Sequence, residues 1–335
     1  MKKLFSLTLI LCLILAGCTK FRFVVKDKYS TLRLSPELNV ANTKATIDDA
    51  VIVNEEVRVQ VSKEDGILPY AGADAKFILS HDGSKWNMSS SLYLSSDNAN
   101  IYAYAPSPVT PADIETGEYS TLKIKLNIPA SQNMADQVDY LWSCQSTTTF
   151  DGSTKINNTN PQVNLRLNHA QTQVAFVFYK ENYSSSGVIN SIKISDASVA
   201  PKMIVNKAVT NDLVLNINDG SFSGGQASTY KEVLAVGSTI SLTANPGIDP
   251  EMLNDEVNGY VLLTPFTAIN KSDITFTFRV DNTDYSVALS GLGGISWLAG
   301  HQYIYTVRLT GTQMDIQGVT VAPWVSHFES DVVIN

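Results

Sequence analysis

Apolar and polar residues alternate with a period of two along most of this chain, and that period predicts strands rather than helices. Leu122, Ile124, Leu126 and Ile128 alternate with Thr121, Lys123, Lys125 and Asn127, so one face of that stretch meets a core and the other meets water. Val57, Val59 and Val61 alternate with Arg58, Gln60 and Ser62 in the same way. Val174, Phe176 and Phe178 are separated by Ala175, Val177 and Tyr179, which are also apolar, and such a run predicts a strand covered on both faces. Leu165 with Leu167, Ile192 with Ile194, Leu213 with Leu215 and Ile217, and the runs at 274–280, 285–289 and 303–309 extend the series. Asp82-Gly83, Asp151-Gly152, Asn218-Asp219-Gly220, Asp281-Asn282 and Gly311 supply turn chemistry between them. Residues 250–258 fit a short helix, with Asp249 as its cap.

Short strands at this spacing predict an all-β fold of β-sandwiches. The Thr-, Ser-, Asn- and Gly-rich stretch at 147–160 reads as a long loop, which places a domain boundary near residue 162. The chain of 335 residues exceeds one typical domain of about 100 to 200 residues, so two sandwiches are expected.

The start of the chain follows another pattern. Lys2 and Lys3 precede an apolar run at 4–15 that ends in Leu15-Ala16-Gly17-Cys18. A basic beginning, a short apolar core and small residues before the cut describe a secretory signal. The run is shorter than the roughly 20 apolar residues that a spanning helix needs. A cysteine directly after the small pair makes this a lipobox, so Cys18 is expected to carry lipid as the first residue of an exported lipoprotein.

The net charge of −8 and pI near 5.0 argue against a phosphate-binding surface, so no nucleic-acid partner is expected. With Cys12 in the signal and Cys18 lipidated, Cys144 is left alone and no intrachain disulfide can form. His81, His169, His301 and His327 are scattered, without paired-ligand spacing. In Gly220-Ser221-Phe222-Ser223-Gly224, phenylalanine stands where a nucleophile elbow needs serine, and the string reads as a turn. Ser120-Thr121-Leu122-Lys123 puts its lysine on the wet face of a strand. Asp281-Asn282-Thr283-Asp284 has the letters of a weak calcium loop, but a hairpin turn explains them equally. No catalytic, metal or cofactor residue is therefore assigned, and no enzyme is expected. Trp86, Trp142, Trp297 and Trp324 leave open a surface lipoprotein that binds glycans through exposed rings and does not polymerise, although aromatics beside strands more often pack a core.

A series of landmarks resembles the fimbrillin family, lipoprotein-derived subunits of type V pili. These are Asp82-Gly83-Ser84-Lys85-Trp86, Ile101-Tyr102-Ala103-Tyr104-Ala105-Pro106, Asp139-Tyr140-Leu141-Trp142, Leu165-Arg166-Leu167-Asn168-His169-Ala170, Trp297-Leu298-Ala299-Gly300-His301-Gln302-Tyr303 and Val319-Thr320-Val321-Ala322-Pro323-Trp324. The resemblance implies two tandem transthyretin-like sandwiches, over 45–162 and 163–335, after a signal at 1–17 and a lipidated propeptide or tether at 18–44. It further implies assembly by strand exchange with copies of itself or related subunits, at an outer-membrane or cell-surface fimbrium, with host or bacterial surface molecules as adhesion partners. Carried onto this sequence, the removable strand lies within 32–40 and the cut falls between Lys44 and Ala45, where the family more often has arginine before the cut. Arg33 is a second basic candidate, but cutting there leaves much of the strand attached. The donor strand is drawn from 318–335, with Val319, Val321, Val332 and Ile334 as its apolar positions.

Overall fold

The computed structural model describes residues 28–38, 56–70, 75–82, 85–107, 119–145, 155–207, 212–236, 240–244, 257–289, 294–311 and 313–324. Their regular structure consists of strands and short 3-10 turns. The fold is all-β, as the alternation predicts. Residues 250–256 of the expected helix lie outside the described residues.

A seven-stranded sheet organises the first half. Its strands run, from one edge to the other, Arg33–Leu38, Gln162–His169, Leu141–Gln145, Ala99–Ala105, Val57–Lys63, Lys76–His81 and Trp86–Met88. Ala99–Ala105 is buried at every position because both faces of the sheet carry a core. Val57, Val59, Val61, Ile101 and Ala103 pack on one side with Leu32, Leu34, Val163, Leu165 and Leu167. Tyr102, Tyr104, Tyr140 and Cys144 face the other side.

Two further sheets pack over a second core. One runs Thr243–Ala244, Thr172–Glu181, His301–Thr310, Gln313–Pro323, with Gly259–Leu263 also on Thr172–Glu181. The other runs Thr283–Ala288, Ile274–Val280, Val188–Asp196, Tyr230–Leu234, Ser131–Asn133. Aromatic rings lock them together. Phe176 meets Phe278 edge-on at 5.1 Å, and Phe276 meets Tyr305 at 4.9 Å and 76°. The buried Trp297 donates its Nε1–H to the Tyr305 hydroxyl at 3.3 Å. Thr172–Glu181 is covered on both faces from Val174 to Tyr179, as its unbroken apolar run predicts.

The change from the first sheet to the second group comes at residues 170–171. Gln162–His169, expected in the second sandwich, pairs with Leu141–Gln145 and Arg33–Leu38 of the first sheet. The halves also interlock. Lys123–Lys125 pairs with Val214–Asn216, and Ser131–Asn133 runs parallel to Tyr230–Leu234. Leu122, Ile124, Leu126 and Ile128 thus bury their apolar face in a core shared with Leu213, Leu215 and Ile217. Asn206 holds this layer from the side, accepting from the Ile128 amide and donating to the Leu126 carbonyl at 2.9 Å.

Lys231 sits inside this interlock. Its ammonium donates to the Pro129 carbonyl and to Gln132 Oε1 at 3.1 Å, and the residue is only 1% exposed. Burial pushes its pKa down to about 7 because a desolvated ammonium loses hydration that two acceptors do not replace. The folded value lies below that of the unfolded chain, so between the two the fold binds fewer protons and gains stability as pH rises. From about pH 7 to about pH 9.5 the expected gain is on the order of 2 kcal/mol. Thermal unfolding across that window checks this: the rise in Tm should be present in the parent chain and absent in Lys231→Met, and equal slopes would contradict it.

Candidate functional site

The first described segment joins a two-stranded sheet to the seven-stranded one. Ser30 and Thr31 pair antiparallel with Leu94 and Tyr93. The chain then changes partner. The Leu32 amide still donates to the Leu92 carbonyl at 2.8 Å, whereas the Arg33 amide donates to the Pro161 carbonyl at 2.9 Å. From there Arg33–Leu38 lies parallel to Gln162–His169, with Arg33 opposite Gln162, Leu34 opposite Val163 and Leu38 opposite Leu167. Leu32 and Leu34 are 1% and 6% exposed and Pro36 is buried, while Arg33 and Ser35 face solvent. Each buried leucine contributes roughly 1.5–3 kcal/mol relative to its exposed form. Pro36 is tolerated because this strand is the edge of its sheet, where a missing N–H costs no ladder bond on the open side. The basic side chain of Arg33 is exposed, but its backbone is paired, which protects it from a protease that needs an extended, free chain.

A second edge lies at the other end of the chain. Gln313–Pro323 pairs antiparallel with His301–Thr310 and has no neighbour on its outer side among the described residues. The pairing slips between Thr306 and Val307, leaving Gln317 as the extra residue of a bulge. Beyond the bulge, Val319 stands opposite Tyr305 and Val321 opposite Tyr303. Both tyrosines are buried, yet the valines are 53% and 55% exposed. A cavity of about 690 Å³ opens beside Val319 between Thr283–Ala288 and Gln313–Pro323, lined by Leu289, Ile295, Tyr305, Met314, Ile316 and Val319.

The landmarks that are scattered in sequence meet where these elements converge. His169, at the end of Gln162–His169, is 2% exposed and its ring stacks on Trp324 at 4.0 Å and 12°. Its Nδ1 lies 2.8 Å from an Asp139 carboxylate oxygen, so Nδ1–H donates to that acid. The Trp324 amide donates to the Gly300 carbonyl at 3.1 Å, and the Gly300 amide to the Gln171 carbonyl at 2.9 Å. Trp324 therefore pins the end of the last described strand to the first sheet. In the sequence His169 stands as an isolated histidine, and only the landmark series that also holds Asp139 and Trp324 connects the three.

Cys18, Lys44, Ala45, Val332 and Ile334 lie outside the described residues. Val319 and Val321 are on the edge strand, as stated. Trp297 and Trp324 are buried, and Trp86 and Trp142 are half-buried. The Asp281 carboxylate accepts from Ser186 Oγ at 2.6 Å, Gly187 N at 2.8 Å, Val188 N at 2.9 Å and the Tyr183 hydroxyl at 2.9 Å. These donors, Ser186 first, hold its pKa far below the usual carboxylate range, and its oxygens are spent on a turn in which Asp281 and Asn282 both have positive φ. Among the described residues no group of three or more His, Cys, Asp or Glu is placed to hold a metal ion, and no helix is long and apolar enough to cross a membrane.

The scaffold is all-β, and Arg33–Leu38 and Gln313–Pro323 each form an edge of a sheet beside the Trp324 clamp. The model of the fimbrillin-like family matches residues 42–324, so the chain belongs to that family. Solved structures share the fold. A candidate cell adhesion protein from Bacteroides uniformis is 12% identical, with a TM-score of 0.55 over 89% of this chain and 100% of its own. Another from Bacteroides ovatus is 13% identical, with a TM-score of 0.56 over 90% and 99%. A fimbrial protein from Bacteroides vulgatus is 11% identical, with a TM-score of 0.55 over 88% and 99%. No curated protein is significantly similar in sequence.

The clamp yields a local prediction. Trp324→Ala should raise hydrogen exchange at the amides of 318–323 by about tenfold or more while leaving Val57–Lys63 unchanged. Mass spectrometry of peptic fragments reads both, and equal changes in the two regions would contradict a local clamp.

Proposed function

We propose that this chain is a subunit or adhesin of a cell-surface fimbrium, exported as a lipoprotein through Cys18 and assembled by strand exchange after cleavage between Lys44 and Ala45. Family membership supports the fimbrial assignment. The observation that carries the assembly reading is the edge strand Arg33–Leu38, whose neighbour Leu32 and own Leu34 fill the first core while the strand stays outside the family match that starts at 42.

The physical logic is direct. Cutting after Lys44 leaves the 28–38 segment held only by noncovalent contacts. Its loss uncovers Val163, Leu165 and Leu167 together with the unpaired backbone of Gln162–His169. A groove with one apolar face and one open row of N–H and C=O groups is satisfied by another strand. The donor comes from 318–335 of a second copy or a related subunit. Lipid at Cys18 holds the uncut chain at the outer membrane and departs with the released segment.

Treatment of the purified full chain with a trypsin-like protease tests this. The expected product starts at Ala45 by mass spectrometry and forms polymers, whereas Lys44→Gln stays uncut there and monomeric. Polymers from the uncut chain, or a chain starting at Ala45 that remains monomeric at high concentration, would contradict the reading.

A further inference from the structure

The N-terminal edge segment is held at two places that share no strand. Arg33–Leu38 lies along Gln162–His169. The residues before it sit elsewhere. Ser30 and Thr31 pair with Leu94 and Tyr93, the Leu32 amide donates to the Leu92 carbonyl at 2.8 Å, and the Ser30 hydroxyl donates to the Asn158 carbonyl at 2.8 Å. Between the two holds, the Arg33 amide donates to the Pro161 carbonyl at 2.9 Å.

The second hold is a cradle built without help from the segment. Leu92 and Leu94 are 1% and 0% exposed in the first core. The Asn158 amide donates to the Ser95 carbonyl at 2.7 Å and the Ala99 amide to the Ile156 carbonyl at 2.9 Å, which ties 156–158 to the same stretch. The Ser95 amide in turn donates to the Tyr70 hydroxyl at 2.9 Å, and that hydroxyl donates to the Asp97 carbonyl at 2.8 Å. None of these bonds uses a residue of 28–38, so removing the segment leaves them in place.

We propose that the cradle of 92–94 and 158 is a second binding site for the N-terminal segment, which retains it on the subunit after the cut and sets the rate at which it leaves. The cut after Lys44 lies on the Leu38 side of the segment. Loosening therefore starts at Leu38 and runs back to Arg33, baring Gln162–His169 from the Leu167 end, while 30–32 stays on partners that the groove does not contain. Cutting permits release, and the cradle delays it. The lipid that we place at Cys18 stays with the subunit for as long as the cradle holds. This inference rests on the cleavage of the proposed function and adds a step between cutting and loss of the segment.

The test uses the full chain with a recognition site for a second, specific protease inserted between Lys44 and Ala45, so that cutting there does not depend on a trypsin-like enzyme. Native mass spectrometry follows the noncovalent complex of the two pieces with time. The parent should keep its N-terminal piece after cutting. Ser30→Ala should lose it roughly 2- to 13-fold faster, the effect of one net hydrogen bond, and Ser30→Pro with Thr31→Pro at least tenfold faster. Protection of the 162–167 amides from hydrogen exchange in the uncut variants shows that the groove is still filled. Where the proline pair disturbs the groove, Ser30→Ala decides alone. Release at the parental rate with that protection intact would overturn the proposal, as would immediate loss from the parent. In the cut parent, those amides of 33–38 that point at Gln162–His169 should exchange at least tenfold faster than the Leu32 amide, and equal rates would contradict the two-stage order. The chain without the inserted site tests the reading beneath. A trypsin-like protease that leaves Lys44–Ala45 intact defeats the cleavage itself, while release at the inserted site still decides the cradle.

Discussion

Burial of Leu32 and Leu34 against Val163, Leu165 and Leu167 is the contact on which the rest of this structure depends. It closes the first core, satisfies the open row of Gln162–His169 and does both with a segment at the extreme edge of its sheet. An open sheet edge carries unpaired N–H and C=O groups that another strand can satisfy. On the assembly we propose, the same contact marks where a partner strand binds.

Further contacts join the two halves of the molecule. Strands from the first half complete sheets of the second, Lys231 ties Pro129 and Gln132 into the interlock, and the aromatic core around Phe176, Phe276 and Tyr305 fixes the second sandwich. Such crossing pairs join the two halves at their junction. Asp139, His169, Gly300 and Trp324 meet there, so the end of the last described strand is fastened to the strand on which Leu34 depends.

Much of this was legible in the sequence. Alternation located the strands around Val57, Phe176 and Phe276, because a half-buried ladder needs a period of two. Leu32 and Leu34 fall within the 32–40 stretch that the family resemblance marks as a strand. What alternation reports is a face and not a partner. The parallel direction of Arg33–Leu38, the membership of Gln162–His169 in the first sheet and the reach of Ser131–Asn133 into the second half were for that reason out of sight. His169 illustrates the same limit from the side of chemistry. Its Asp139 acceptor is 30 residues away and its stacking partner lies on the last strand, so nothing in its local sequence distinguishes a clamp from a solitary imidazole. The Asp281 turn shows the opposite case, where local letters fit a cation loop and the structure gives every carboxylate contact to the protein's own donors.

The central claim, that the 28–38 segment is a replaceable strand and not a permanent part of the first sandwich, is tested most directly by hydrogen exchange at the amides of 162–167. The account predicts protection in the full chain, fast exchange in the cut monomer once the segment has left, and protection again in the polymer. Protection that persists unchanged in the cut monomer after release of the segment would contradict it.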